Sequence, residues 1–263
     1  MKIFNIVKNV GFLTKPILYS ILIIFLAFLL QIMPANDIEG ISILDLVSEL
    51  GGDAGITNIL IMVFIIVPLI TFSMFHVLKN TEVHYKLLRL QSRVRIWNNI
   101  VILIIIYSFI FSIFLVLGGY IISGIFLNDF TNNWINMQGS FFYLLDSNDQ
   151  KNFAVYSEQL TTTRVLTILF FTKFLGLLVI AILITILKAI LKKSIWVILI
   201  MMIFSFLDGI NNDVSILFGK MTINIDNWKN IQSIFLNHAF LLTIFVTLYF
   251  VGLEIYRKRD FVK

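Results

Sequence analysis

Six apolar stretches constrain this chain more than any other feature of its sequence. A helix that crosses the roughly 30 Å hydrocarbon core of a bilayer needs about 20 apolar residues. Five stretches meet this requirement, and they lie near residues 16–33, 56–77, 100–127, 165–187 and 235–255. A sixth, at 194–207, reaches the required length only with its flanking residues, and its alternative interpretation is a re-entrant segment. The pattern predicts an all-α membrane protein, a single transmembrane domain over residues 1–263 with six transmembrane helices.

The composition agrees with this interpretation. Hydrophobic residues make up 59% of the 263 residues and charged residues only 13%, with a mean hydropathy of +0.95. A soluble domain has roughly half apolar and about a quarter charged residues, and one of this size cannot bury so much apolar surface. Lipid therefore has to cover part of it. The chain has no cysteine, which excludes disulfides and thiolate metal sites.

The distribution of charge predicts the orientation of the spans. Both termini and the segments after the second and fourth spans carry 15 of the 20 basic residues. The other three connections carry 12 of the 15 acidic residues. Because Lys and Arg are enriched in cytoplasmic loops, both termini are expected in the cytoplasm. The abundance of Ile, Asn and Lys and the scarcity of Ala and Pro favour a bacterial source, so a bacterial plasma membrane is expected. This alternation requires the short fifth stretch to cross, and it makes 128–163 and 208–234 extracellular, the latter with apolar runs that suit a return toward the membrane.

Residues 1–15 predict an amphipathic helix that lies in the membrane interface. Ile3, Ile6, Val7 and Val10 fall on one helical face, and Lys2 falls on another. The alternative is an ordinary basic flank that only sets the topology.

Residues 81–97 predict a cytoplasmic helix between the second and third spans. Its apolar positions recur every three or four residues: Val83, Leu87, Leu90, Val94 and Trp97. Its basic positions have the same spacing: Lys86, Arg89 and Arg93. Such a helix can dock into a groove on a soluble partner, and it can also lie on anionic lipid.

Motifs for chemistry are missing from the sequence. It has no Walker A motif, no HExxH motif and no GxSxG-like turn, and its three histidines are dispersed. We therefore expect no catalytic residue, no metal, no cofactor of its own and no nucleic-acid partner.

Lys173 is the exception among the polar residues of the spans. A charge within a span is costly and marks a cavity or a contact between spans. The sequence makes Lys173 a candidate for lining a translocation path. The alternatives are a structural pair with a carboxylate from an outer loop and a shift of the lysine toward its neutral form.

The layout resembles the membrane subunit of ABC-2-type exporters over nearly the whole chain. In that family an amphipathic N-terminal helix precedes six spans, a coupling helix joins spans two and three, and short helical segments dip in from outside between spans five and six. The stretch RLQSRVRIWN, with its Ser-Arg pair and following Trp, is similar to a run in many bacterial members, and EIYRKRDF resembles the close of their last span. The loop 128–163 is long for the family.

The resemblance implies a mechanism and partners. Two permease subunits, identical or different, would pair around a path, and a cytoplasmic ABC ATPase that binds ATP and Mg²⁺ would dock on each coupling helix. Lys86, Arg89, Leu90 and Arg93 would contact that ATPase. Small bacterial members of this kind export antimicrobial or amphipathic peptides and other lipophilic cargo. The alternatives are an immunity or receptor protein that binds a toxin without transport, and a membrane enzyme scaffold.

Overall fold

A computed structural model describes residues 22–23, 25–26, 42–48, 61–87, 92–191, 193–210 and 215–258. These residues form helices and connecting turns, and none of them forms a strand. The α-helices, in chain order, are α1 (Ile43–Val47), α2 (Val67–Leu87), α3 (Arg93–Ile113), α4 (Gly119–Leu127), α5 (Ser140–Leu144), α6 (Ser147–Gln150), α7 (Phe153–Ser157), α8 (Thr162–Ile190), α9 (Ser194–Ile210), α10 (Phe218–Met221), α11 (Ile225–Lys229) and α12 (Ile231–Lys258). A π-helical segment, Met62–Ile66, leads into α2, and a second, Phe114–Gly118, joins α3 to α4.

Within the described residues, four helical runs are long and apolar enough to cross a membrane. They are Met62–Lys79, Arg93–Leu127, Thr162–Ile190 and Ile231–Lys258. They coincide with the predicted second, third, fourth and sixth spans, so the all-helical class and these four candidate spans agree with the sequence. The predicted fifth span corresponds to α9, a shorter apolar helix.

The first predicted span and the interfacial helix cannot be compared in the same way. Residues 1–15 lie outside the described part of the chain, and the stretch 16–33 contributes only four described positions. These are helical and exposed: Leu22, Ile23, Phe25 and Leu26. Six spans and cytoplasmic termini therefore stay predictions.

The bundle is built around α8. This helix packs against α12, α3, α2 and α9. Every residue from Leu177 to Ile182 is buried, so the middle of α8 is covered on all sides by protein. A helix that is apolar all round belongs in the interior of a bundle, which is the position α8 occupies.

A second cluster of buried residues lies at the N-terminal end of α8. It combines α1, residues 134–160 and α11 with Val165 and Leu169 of α8. Trp134 is fully buried, and its ring meets those of Phe141 and Trp228. We call this assembly the outer cluster. Parts of all three segments that the charge pattern predicts on one side of the membrane meet here, as alternating spans require.

The predicted helix over 81–97 differs from what the structure shows. Residues 81–87 continue α2, and residues 93–97 begin α3. Ser92 lies between them in an extended conformation, and its side chain accepts a hydrogen bond from the Arg95 N–H as the N-cap of α3. The prediction of one separate helix was therefore wrong, because the helical spacing on both sides of the break belongs to the ends of two long helices.

Trp97 joins the start of α3 to the last turns of α12. The indole is fully buried, and its ring centroid lies 4.9 Å from that of Tyr256 and 6.2 Å from that of Tyr249. The Tyr249 hydroxyl donates to Asn98 Oδ1 at 2.8 Å. The ring edge of Trp97 occupies the space beside Gly252 where a Cβ would stand. Trp97 is thus a contact between helices and is unavailable as the apolar face of a docking helix.

Gly252→Ala is expected to destabilise the bundle by about 1–3 kcal/mol, because the added methyl group collides with a rigid, buried indole. The measurement is thermal unfolding of the detergent-solubilised protein. Gly118→Ala is the matched control, since a Cβ at Gly118 meets no atom within 4 Å. Equal unfolding temperatures for the two variants would contradict the packing described above.

Candidate functional site

Lys173 lies inside the bundle rather than at its surface. It is 2% exposed, and its Nζ donates a hydrogen bond to the backbone carbonyl of Met221 at 3.0 Å. Eleven residues separate it from the start of α8 at Thr162, which corresponds to about 17 Å along the helix axis. At this depth a lysine needs polar partners from the protein. One such partner is the carbonyl of Met221, the last residue of the short helix α10.

Asp208 holds the opposite end of α10. One of its carboxylate oxygens, Oδ2, accepts from the backbone N–H groups of Phe218 at 2.7 Å and Leu217 at 3.0 Å, and from the Ser215 hydroxyl at 2.9 Å. The other oxygen accepts from the N–H of Ile216 at 2.6 Å. The carboxylate therefore satisfies several N–H groups that would otherwise lack partners where the chain turns from α9 into α10.

An acidic and a basic side chain thus contact the two ends of α10. The carboxylate of Asp208 meets the N–H groups at its start, and the ammonium of Lys173 meets a carbonyl at its end. Each charge faces the backbone group of opposite polarity, so both side chains gain charge-assisted hydrogen bonds. We call Lys173, Asp208 and α10 together the α10 clamp.

Close packing seats the α10 clamp against α8. Met221 is buried, and its side chain fills the space beside Gly176 where a Cβ would stand. A small residue lets the neighbouring segment approach the helix axis closely. The segment after α9 therefore packs against α8 at the level of Lys173.

The position of α10 beside α8 explains how the short helix α9, the predicted fifth span, fits the bundle. The 17 residues of α9 extend about 26 Å, less than the hydrocarbon core, and Asp208 near its end already contacts α10. The chain then reaches the outer cluster through Ile223 and Trp228, both of which are buried there. Residues after α9, rather than α9 alone, complete the connection between the two ends of the bundle.

A second polar contact lies next to Lys173. Thr172 Oγ1 lies 2.7 Å from His238 Nε2 on α12 and 2.8 Å from the carbonyl oxygen of Ile168. The tautomer of His238 decides which of the two groups, the hydroxyl or Nε2, donates in this contact. This contact ties α8 to α12 one residue away from the α10 clamp.

Two of the four predicted ATPase contacts, Lys86 and Arg93, lie in the described residues, at the other end of the bundle. Lys86 belongs to the last turn of α2, and Arg89 and Leu90 lie outside the described residues. Arg93 is exposed, and its Nη1 donates to the backbone carbonyl of Arg257 at 2.7 Å. Arg93 therefore caps the C-terminal end of α12, where carbonyl groups lack helical partners. The structure does not bring Arg93 and Lys173 together.

Within the residues that the structure describes, no group of three or more His, Cys, Asp or Glu side chains could hold a metal ion.

Sequence reasoning missed Asp208 as a site residue. Asp208 entered the sequence analysis only as one of the 12 acidic residues of the outer connections. It directly follows the apolar run of the predicted fifth span, however. An acid at that position, followed within ten residues by a Ser and a Gly, was a usable signal for a cap of a re-entrant turn.

Comparisons of the chain with protein-family models, with curated proteins and with solved structures find no match.

Proposed function

We propose that this chain is the permease subunit of an ATP-driven exporter of the ABC-2 type. It pairs with a second permease copy in a bacterial plasma membrane and moves amphipathic or antimicrobial peptides, or other lipophilic cargo, out of the cell. The observation that carries the proposal is the α10 clamp. A short helix that returns into the bundle between the predicted fifth and sixth spans is the feature that the resemblance to this class implies at this place in the chain.

The position of Lys173 gives the proposal a chemical basis. A buried ammonium that donates to the end of a short, separable helix can exchange that carbonyl for an acceptor on cargo. A chain that only anchored a partner in the membrane would have no use for a charge at this depth, given its cost. Lys173 is therefore our candidate for lining the path.

The energy for transport comes from another chain in this proposal. The sequence has no Walker A motif, so ATP and Mg²⁺ are bound by a cytoplasmic ABC ATPase. The ATPase contacts Lys86, Arg89, Leu90 and Arg93, at the junction of α2 and α3. Because Arg93 also caps α12, a force on this junction reaches the helix that packs against α8.

Charge reversal tests the proposed ATPase contact. Arg89→Glu and Arg93→Glu are each expected to lower recovery of an ATPase with the affinity-tagged chain by about tenfold, the effect of losing some 1.4 kcal/mol of binding. Lys193→Glu is the control, an exposed lysine that the charge pattern places on the same side but outside this junction. The measurement is the amount of co-purified ATPase and its hydrolysis rate. The proposal fails if no ATPase co-purifies, or if the reversals and the control recover the same amount.

A second candidate function is a receptor or immunity protein that binds a toxin at the outer face. The observation that favours it is the outer cluster, which has a core of its own and still exposes large apolar side chains. Met137 and Tyr143 are each 68% exposed. Binding of a peptide toxin by the purified chain, with no ATPase in the complex and no transport, would favour this candidate over the exporter.

A further inference from the structure

A groove lies between α8 and the π-helical segment that joins α3 to α4. Its volume is about 410 Å³, within the range of pockets that hold small ligands. Its lining residues are Ile113, Leu117, Thr162, Thr163, Leu166, Thr167 and Phe170. The α10 clamp contributes none of them, so the groove is a separate feature of the molecule.

The groove runs along α8, and its wall changes from polar to apolar along the helix. Its five α8 residues span positions 162 to 170, about 12 Å along the helix axis. Thr162 and Thr163 supply hydroxyl groups at the N-terminal end of the helix. Leu166 and Phe170 make the deeper part of the same wall apolar. A ligand that matches this wall has a polar end beside the first turn of α8 and a hydrocarbon chain that extends into the bundle.

The opposite wall is also apolar. Ile113 and Leu117 stand at the junction of α3 with the π-helical segment Phe114–Gly118. The wider turn of a π-helical segment shifts the side chains that follow it, and such segments occur often at functional sites. Here the segment provides the second wall of the groove.

The groove is accessible from the lipid side of the helix. Thr163, Thr167 and Leu117 are exposed, and so is Phe171 beside the groove. These residues lie in two of the helices that are long and apolar enough to span a membrane. A molecule that enters the groove here comes from the bilayer, in the leaflet at the N-terminal end of α8.

One basic side chain accompanies the polar end of the groove. Arg164 lies in the first turn of α8, next to Thr163, and is exposed. Its guanidinium group makes no hydrogen bond or ion pair with any residue that the structure describes, although Glu158 lies only six positions earlier in the chain. A guanidinium group forms bidentate hydrogen bonds to phosphate. The charge beside this groove is therefore complementary to an anionic headgroup.

We propose that the groove binds one anionic phospholipid, with an acyl chain between α8 and the π-helical segment and the phosphate at Arg164 and the threonine hydroxyls. This site does not depend on the proposed export function.

Photocrosslinking tests the site in the full-length chain. The chain is reconstituted in phosphatidylcholine nanodiscs with a trace of phosphatidylglycerol that carries a diazirine in its acyl chain, and the labelled peptides are identified by mass spectrometry. We expect labelling concentrated in residues 113–117 and 162–170. Unlabelled phosphatidylglycerol should compete at least fivefold more effectively than added phosphatidylcholine.

Two variants separate this site from ordinary lipid contact. Thr167→Trp fills the groove and should reduce the labelling at least fivefold. Its control is Thr247→Trp, since Thr247 is also exposed on a long helix and its hydroxyl also donates to the carbonyl four residues earlier. Arg164→Gln should remove the preference for phosphatidylglycerol while Lys151→Gln, another exposed base, leaves it unchanged.

The results that would overturn the proposal are specific. Labelling spread evenly over the exposed apolar helices would mean that no site exists. Equal competition by the two lipids in the unaltered chain would exclude the anionic headgroup. Loss of the label only when an amphipathic peptide is added would assign the groove to a peptide instead. Should Thr167→Trp fail to fold, the Arg164→Gln and Lys151→Gln pair still decides the question.

Discussion

Lys173→Met should release α10 from α8 without unfolding the bundle. The substitution removes the donor to the Met221 carbonyl and leaves that oxygen unsatisfied in a buried place, which costs about 1–3 kcal/mol. It also removes the cost of burying a charge, because methionine is apolar and of similar length. The lost hydrogen bond weakens the attachment of α10 to α8, whereas the removed charge stabilises the folded bundle as a whole. We expect the global unfolding temperature to stay the same or rise, while the local opening of α10 increases.

A cysteine reporter measures the local opening. The chain has no cysteine, so Thr222→Cys, at the C-cap of α10, gives a single reactive thiol. In the Lys173→Met background the thiol should react with a maleimide about tenfold faster, which corresponds to 1.4 kcal/mol. Lys220→Met is the control, since this half-buried lysine precedes Met221 and its ammonium group makes no hydrogen bond in the described part of the chain. Equal reaction rates in both backgrounds would show that Lys173 does not hold α10.

Asp45→Ala should lower the free energy of unfolding of the outer cluster by about 2–4 kcal/mol. The outer cluster should therefore unfold at a lower temperature. Asp45 is buried in α1, and its Oδ1 accepts from the Trp134 indole N–H and the Ser140 hydroxyl, each at 2.7 Å. Its Oδ2 accepts from the Ser42 N–H at 2.8 Å in a capping box. Removal of the carboxylate leaves three donors without this acceptor, and hydrogen bonds to charged groups contribute more than neutral ones.

The control for this prediction is another aspartate of the same region. Asp129 is partly exposed, and its carboxylate accepts from the N–H and hydroxyl of the nearby Thr131. Asp129→Asn should change the stability by no more than about 0.5 kcal/mol, as is usual for surface substitutions. Fluorescence of Trp134 and Trp228, in a chain whose Trp97 and Trp196 are replaced by Phe, follows the outer cluster during thermal unfolding. Similar losses for Asp45→Ala and Asp129→Asn would contradict the role given to Asp45.

The same carboxylate makes the outer cluster more stable at acidic pH. Burial raises the pKa of Asp45 above its ordinary value of 3.8, and this outweighs the opposing hydrogen bonds from Ser140, Ser42 and Trp134. The folded state then binds this proton more tightly than the unfolded state, so the stabilisation is complete below pH 3.8 and is lost as the pH rises through the folded pKa. Hydrogen bonds from Thr131 lower the pKa of Asp129. The stabilisation by Asp129 is therefore present above pH 3.8 and is lost only as the pH falls below that value. Between pH 4 and 7 the outer cluster should therefore lose stability as the pH rises, and Asp45→Asn should remove that slope.

The long helices were predictable because each depends on a local property of the sequence. Runs of about 20 apolar residues give the bounds of Met62–Lys79, Arg93–Leu127, Thr162–Ile190 and Ile231–Lys258 to within a few residues at most ends. Lys173 was recognisable for the same reason, as one charge within such a run. The helix over 81–97 was wrong because helical spacing does not reveal where one helix ends and the next begins. An N-cap serine, here Ser92, was the only local sign of that break.

The sequence by itself determined that the chain is helical, which segments are long and apolar enough to cross a bilayer and which of them carries a charged residue along its length. These properties follow from hydropathy along a single helix. Only the tertiary structure decided what that charge does. Lys173 meets Met221, 48 residues away, and Asp208 caps the same short helix from the end of α9. Such contacts depend on how the helices pack side by side, and no periodicity within one segment encodes the position of its neighbours.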